Sequence, residues 1–325
     1  MPLTDKFGRQ ITDLRVSVTD RCNFRCVYCR SAKPENHADD VLLEWAEYER
    51  LVKTLVGMGI RKVRVTGGEP LVRPGVVEFV ARLKALGVAD LSMTTNGHLL
   101  AGRCNELAAA GLNRINISLD SLDPEKFARI TRTQSFAQVI AGIEAAQQSP
   151  LRPVKVNAVL VRGVNDDEVE AFAEFAREKE IVMRFIEYMP LDADRSWTRD
   201  QVVTAAEVHQ RISARWPLMP IVHERSETAR RYRFVDGGGE IGLIAPVSQP
   251  FCGNCSRIRI TADGKLRTCL FSKKDHDLKP LLRNGAGDRE IGDAIQAIVD
   301  KKEKSHRINE PDFIPPSRTM VYIGG

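Results

Sequence analysis

Long apolar runs are missing from this chain. None approaches the roughly 18–20 residues that a membrane-spanning helix requires, so no membrane partner is expected. The opening segment MPLTDKFGRQITDLR lacks the apolar stretch of a secretory signal and carries charges of both signs, which makes the cytoplasm the expected compartment. An excess of one charge is missing too. The 48 lysines and arginines against 43 aspartates and glutamates leave +5, spread along the chain. Nucleic-acid binders gather such charge into a stripe or patch, so no nucleic-acid partner is expected, whereas a small polyanionic substrate needs only a few of these cations. No segment is of low complexity. Regularly spaced aliphatics exclude disorder as the main state, and 43% hydrophobic with 28% charged residues allows a buried core and a soluble surface. The 325 residues suit one large α/β domain, or a barrel with an appended part. None of the 6 histidines sits in a metal-spaced pair.

Cysteine is the informative presence. Of the 7 cysteines, Cys104 stands alone on a helix and reads as a core residue. The others form two tight trios, Cys22, Cys26, Cys29 and Cys252, Cys255, Cys269. In a reducing compartment they are not a disulfide framework, and two such groups suggest two metal centres. The first is C-x3-C-x2-C on one loop. A structural zinc site wants a fourth ligand close by, and no Cys or His follows until His37. Three soft sulfurs with an open position fit a [4Fe–4S] cluster with one iron free. The second is C-x2-C-x13-C. Here a zinc ribbon completed by His276 is the alternative to another [4Fe–4S] cluster whose open iron receives substrate.

The first two thirds of the chain alternate β-rich runs with amphipathic helices. RVSV from Arg15, KVRVTGG from Lys62, LSMTTNG, RINISLDS, VKVNAVLV and VMRFIEYMP read as six strands. Helices fall between them: Trp45, Tyr48, Val52 and Leu55 mark one, Val76, Val80 and Leu83 another, one ends near Gly111, one spans Ser135 to Gln148, and one begins at Asn165–Asp167. Six β/α units with apolar strands predict a parallel sheet covered on both faces. The expected fold is a partial (β/α)6 TIM-like barrel over residues 1–190, with a doubly wound open sheet as the alternative. Residues 191–325 are expected to form an α+β extension carrying the second cysteine group, with a helix over Ala205 to Trp216 and hairpins turning at Gly237–Gly239 and Asp263–Gly264. In either fold the chemistry sits at the C-terminal strand ends, where Cys22–Cys29, Gly67-Gly68-Glu69-Pro70, Thr94–Gly97, Ser118–Asp120 and Met189–Pro190 all fall.

Basic residues occupy the strands themselves: Arg15, Lys62, Arg64, Lys155 and Arg184. Lone charges there are costly unless they face a ligand or partner. Lys62 and Arg64 share a face by parity, as do Arg257 and Arg259, whose guanidinium forks suit phosphate or a nucleobase edge. An anion site is expected, unless some of these cations pair with Asp120 or Glu187.

The first trio, with Tyr28 before its last cysteine and GGEP after the next strand, resembles the radical S-adenosylmethionine (SAM) superfamily. Adding the second trio, the Arg257-x-Arg259 pair, Gly324-Gly325, and the segments TDRCNFRCVYCR, KVRVTGGEPLVR, TTNG, RINISLDSLD, VKVNAVLVRGVND, RFIEYMP and FCGNCSRIRIT in order, the chain from Gly8 to Gly325 resembles the GTP 3′,8-cyclase family of molybdenum cofactor biosynthesis. The resemblance implies two [4Fe–4S] clusters, SAM at the N-terminal one and GTP at the C-terminal one. A 5′-deoxyadenosyl radical takes the ribose 3′ hydrogen, and the ribose then bonds to guanine C8, giving 3′,8-cyclo-7,8-dihydro-GTP. By the same resemblance SAM contacts fall on Tyr28, Gly68, Ser118 and Met189. GTP contacts fall on Arg15, Arg64, Thr94, Lys155 and Arg257-Ile258-Arg259, with Lys62 and Arg184 lining the triphosphate site. Gly324 and Gly325 form a tail that enters the barrel and supports radical initiation. A reductant such as flavodoxin or ferredoxin, a cyclic pyranopterin monophosphate synthase that takes the product, and a monomer or homodimer are implied as well. Arg30-Ser31 departs from the family, where Met-Pro is commoner. Two rivals are a peptide-modifying radical SAM enzyme, disfavoured because no cysteine follows Cys269, and a zinc-dependent nucleic-acid binder, disfavoured by the absence of a basic stripe.

Overall fold

The computed structural model describes residues 2–31, 36–222 and 226–324. Six strands, β1 Asp13–Ser17, β2 Lys62–Thr66, β3 Asp90–Thr95, β4 Arg114–Ser118, β5 Val154–Leu160 and β6 Val182–Glu187, lie side by side in chain order and all run parallel. Each unit is added on the same side of the one before. A doubly wound sheet reverses its order at a switch point, and this one does not, so the partial-barrel reading holds. Helices α1 Trp45–Gly57, α2 Val76–Ala85, α3 Cys104–Ala109, α4 Pro124–Thr131, α5 Phe136–Gln148 and α6 Val169–Lys179 fill the crossovers. Their apolar stripes, such as Tyr48, Leu51, Val52 and Leu55 of α1, bury against alternate strand residues such as Leu14, Val16, Val63 and Val65.

Helix α4 was not expected from periodicity. Its signal is the Asp123-Pro124 start: the Asp123 carboxylate accepts from the Lys126 amide at 2.6 Å, and proline occupies the first turn, a standard helix entrance.

Beyond Leu191 come α7 Ala205–Arg215, β7 Leu218–Pro220, β8 Arg230–Phe234, β9 Glu240–Ile244, β10 Arg257–Ile260, β11 Lys265–Arg267 and β12 His276–Asp277, then α8 Lys279–Arg283, α9 Asp288–Val299 and α10 Met320–Ile323. Both expected hairpins form, β8 with β9 and β10 with β11. Each joins the sheet: β9 pairs parallel with β6, and β10 pairs parallel with β1. The result is one twelve-stranded sheet whose two outer edges come from the C-terminal third. No helix of the described residues is long and apolar enough to cross a membrane.

Tyr48 ties a helix to the functional end of the sheet. Its buried hydroxyl donates to the Ser17 carbonyl at 2.8 Å, and its ring lies with Trp45 and Phe79 under the Arg73 guanidinium. Removing that donor leaves a buried carbonyl short of a partner, so Tyr48→Phe should lower stability by about 1–2 kcal/mol. Urea unfolding should show a lower midpoint at unchanged slope.

Candidate functional site

The first cysteine loop leaves β1 and is sewn to the turn after β2. The Gly68 amide donates to Thr19 O at 2.6 Å and the Glu69 amide to Arg21 O at 2.8 Å. A Cβ on Gly67 would stand 2.6 Å from Thr19 O, and one on Gly68 2.3 Å from Arg21 O, so two glycines are required for this approach. Glu69, buried, accepts from Leu71 N (3.0 Å), Thr95 Oγ1 (2.8 Å) and Asn96 N (2.6 Å). Burial raises its pKa to about 7 against the opposing pull of these donors. Glu69 thus locks the ends of β2 and β3 together, a role the sequence pattern left unassigned. Asn96, so held, turns its amide toward Cys22 Sγ at 3.8 Å.

Tyr28 is anchored in the same way. Its hydroxyl donates to Asp120 Oδ2 at 2.6 Å, while Asp120 Oδ1 accepts from Val159 N at 2.9 Å. Asp120 is therefore not a partner of the strand cations. Nor is Glu187, which takes the amides of Ala205, Val247 and Ser248. Arg30, where the sequence departs from its relatives, is buried; its guanidinium donates to Asn36 Oδ1 and its Nε has no partner.

Cys22, Cys26 and Cys29 are free thiols on this loop. Burial raises all three, Cys22 to about 11 and Cys29 to about 12, and the Asp120 carboxylate and then the neighbouring sulfurs raise Cys26 further. Such a trio resists ionising without a cation among the sulfurs, which is the chemistry of a metal-cluster ligand set. Among the described residues no three His, Cys, Asp or Glu are already closed around a metal position. The second trio lies on the approach to β10 and just after β11. Burial raises Cys269 to about 11, whereas at Cys255 the charges of Arg257 and Lys302 outweigh burial and bring it down to about 7. His276 sits on β12 and does not line this cavity, so the zinc-ribbon alternative loses its fourth ligand. Cys104 is buried in α3 and its thiol donates to Leu100 O, a core residue as expected.

Both trios face one cavity of about 280 Å³ at the C-terminal strand ends. Tyr28, Gly68, Thr94, Ser118 and Met189 line it, as do Arg15, Arg64, Arg184, Arg257 and Arg259. A second cavity of about 480 Å³ occupies the N-terminal strand ends and adds Lys62 and Lys155. Arg15, Arg64, Arg184 and Arg257 belong to both, so cations line the way from one end of the barrel to the other. Ile258 differs: its side chain is in the hydrophobic core, leaving only its backbone for any contact. His306 lines the cavity beside the second trio, with a buried, unpartnered Nδ1; no spacing rule points to it.

Register explains the charge density. Arg259, Arg15 and Arg64 are direct neighbours on β10, β1 and β2. Like charges at such positions repel. Burial, then mutual repulsion, pulls Arg15 well below its ordinary value, and burial brings Arg184 and Arg259 to about 9 and Arg64 to about 10. Guanidinium keeps its proton under these conditions, so the charge persists and calls for an anion. Arg184 is held by neutral partners, Asn157 Oδ1 at 2.8 Å and Asn116 Oδ1 at 2.9 Å, and Gly242 opposite leaves it room.

The C-terminal tail is not a frayed end. Ile323 and Met320 pack into an apolar cluster with Leu191, Val247 and Phe271. The Val321 amide bonds Cys29. The Gly324 carbonyl accepts from Arg259, and a Cβ on Gly324 would stand 2.9 Å from Ser17 Cβ. Arg318, bound to Asp263 at 2.6 and 2.9 Å and to Asp275 at 2.6 Å, fixes the entry to this segment. Gly325 lies outside the described residues.

Residues 16–176 match the radical SAM superfamily. Among solved structures, SuiB of Streptococcus suis bound to S-adenosylmethionine superposes with a TM-score of 0.64 at 14% identity, over 95% of this chain and 76% of that one. The structure of anSMEcpe with bound AdoMet gives 0.58 at 16%, over 91% and 82%. At this identity they speak for the fold alone. The chain belongs to the radical SAM superfamily, and with that membership come SAM and an iron–sulfur cluster. Residues 181–308 match Molybdenum Cofactor Synthesis C. A GTP 3′,8-cyclase of Mycolicibacterium smegmatis is 47% identical over 100% of this chain and 92% of its own, and that of Xanthomonas axonopodis pv. citri is 46% identical over 87% of each. Within the superfamily, then, the chain is a member of the GTP 3′,8-cyclase family.

Lys155 gives a pH signature. Burial, then the nearby arginines, lowers its pKa to about 7. A bound polyphosphate restores it toward the ordinary lysine value, so between pH 7 and about 10 binding takes up a proton, and below pH 6 it does not. Calorimetry with inorganic triphosphate in buffers of different ionisation enthalpy should show uptake of about one proton at pH 8.5, absent in Lys155→Met. In the ligand-free protein the same depressed pKa makes stability fall as pH drops from about 10 toward 7.

Proposed function

We propose that the protein converts GTP to 3′,8-cyclo-7,8-dihydro-GTP, the first step of molybdenum cofactor synthesis. The observation that carries this reading is the row of buried strand arginines, Arg259, Arg15 and Arg64, between two half-buried cysteine trios: a site for a polyanion flanked by two metal-cluster ligand sets. Cys22, Cys26 and Cys29 would hold an iron–sulfur cluster that, with SAM, would supply the radical chemistry directed at the ribose 3′ hydrogen. Tyr28, Gly68, Ser118 and Met189 hold SAM on that side. Arg15, Lys62, Arg64, Lys155 and Arg184 hold the triphosphate, and Thr94, Arg257, Arg259 and the Ile258 backbone position the nucleoside. Cys252, Cys255 and Cys269 would hold a second cluster, at which the nucleotide would bind. Between the trios the walls are apolar as well as cationic, with Ile186, Ile244, Phe251 and Phe271 lining the cavity, and they keep bulk water from a radical. The tail orients Arg259 through the Gly324 carbonyl and closes the chamber. A flavodoxin- or ferredoxin-like reductant and a downstream synthase complete the sequence, with the protein acting as a monomer or homodimer.

The division between trios is directly testable. Cys26→Ala should retain iron at the second site but lose reductive SAM cleavage. Cys255→Ala should keep SAM cleavage and lose cyclisation. Loss of SAM cleavage in Cys255→Ala with the first cluster intact by electron paramagnetic resonance would overturn the assignment.

The tail makes a second prediction. Deleting Gly324 and Gly325 removes the Arg259 contact while leaving both cysteine trios. Cyclisation should fall by a factor of ten or more, the scale of one lost charge-assisted hydrogen bond of about 1.5–3 kcal/mol, with iron content and GTP affinity largely retained. A synthetic peptide of the final residues should restore part of the activity.

A further inference from the structure

Lys302 is a buried lysine outside both sets of strand cations. It follows α9, and its ammonium donates to two backbone carbonyls, Arg257 O at 2.9 Å and Thr268 O. Among the described residues it forms no ion pair with a carboxylate. A charge this deeply buried is costly unless something opposite in sign lies near. What lies near is the second cysteine trio, since both carbonyls belong to its flanking segments. The two carbonyls it grips are also informative. Arg257 is two residues past Cys255, and Thr268 immediately precedes Cys269, so one ammonium staples the two chain segments that carry those cysteines.

The residues after Lys302 continue the brace. Glu303 accepts from Thr268 Oγ1 at 2.7 Å. Arg9 donates at once to Cys252 O (2.8 Å), Lys304 O (2.9 Å) and Glu303 O (2.6 Å). The His306 amide bonds Cys252. Each cysteine of the second trio is thus held, directly or through a neighbouring residue, by the segment Lys302 to His306.

We infer that Lys302 is the positioning residue and fixed counter-charge of the second cluster. It sets the spacing of Cys255 and Cys269 before iron arrives, and once the cluster is bound it stabilises the more negative, reduced state. This rests on the second trio holding a cluster, as proposed above. Fixed charge and hydrogen bonds around the sulfurs are the protein's means of setting a cluster potential.

The test is anaerobic reconstitution of the full chain and three variants, read by iron and sulfide content, electron paramagnetic resonance and redox titration. Lys302→Met removes charge and donors; it should fall from about eight iron per chain to about four, keeping the first cluster's signal and reductive SAM cleavage. Those retained properties establish that the variant is folded. Lys302→Arg should restore loading. Lys302→Gln keeps a donor without the charge; it should load the second cluster partly, with a midpoint potential more negative than that of the unaltered protein. Full iron with unchanged potential in both Lys302→Met and Lys302→Gln would overturn this inference alone. About four iron in the unaltered chain, confined to the first trio, would instead overturn the second-cluster reading on which it stands.

Discussion

Buried positive charge that outweighs the few carboxylates beside it, Asp13, Asp90 and Glu227, is the constraint to which the rest of this structure answers. Arg259, Arg15 and Arg64 stand in one row across three adjacent strands, inside a sheet whose opposite face is aliphatic core. Folding alone does not favour that arrangement, because each guanidinium raises the cost of the next. It persists because helices on the outer face bury enough apolar surface to carry it. Two further carboxylates are held by other work: Asp120 holds Tyr28, and Glu187 holds the start of α7 and the segment after β9. The stored repulsion is released only when an anion enters, so affinity for a polyphosphate and instability of the empty site have one origin.

The two cysteine trios are placed by opposite means. The first sits on a loop tied to its neighbours by backbone bonds: glycines beside Thr19 and Arg21, amides donating to the end of α4. The second is split between the segment before β10 and the residue after Thr268, and needs side chains from elsewhere, Arg9 and Lys302, to bring these segments together. Both face one cavity because β10 lies beside β1, so the start and the last third of the sequence meet at adjacent strands.

Much of this was legible in the sequence because the signals were local. Six parallel strands, the hairpin turns at Gly237–Gly239 and Asp263–Gly264, and both trios follow from periodicity and spacing within short windows. Parity placed Lys62 with Arg64 and Arg257 with Arg259. What escaped was non-local. Nothing in the RIRI segment says that it pairs with Asp13–Val16, which brings Arg259 and Arg64 to either side of Arg15 in one row. Glu69 reads as part of a turn motif, yet its carboxylate fastens three backbone and side-chain donors from the next strand end and its own turn. Lys302 and His306 lie in the charged stretch KKEKSH, which has the composition of a solvated surface; only tertiary packing reveals a buried ammonium and an imidazole lining the cavity.

The sheet's edges carry a consequence for how the chain must be made. β1 and β6 are the flanks of the six-unit core, and each is covered by a strand that comes much later in the sequence, β10 and β9. Until those strands arrive, both flanks present open rows of amides and carbonyls, the template on which chains add to one another. A chain halted after β6 would therefore be sticky at two sides as well as hollow and cationic within. Pairings of such long sequence separation also form slowly. During synthesis the nascent core depends on chaperones, or on speed, to reach its own C-terminal strands before it meets another copy of itself.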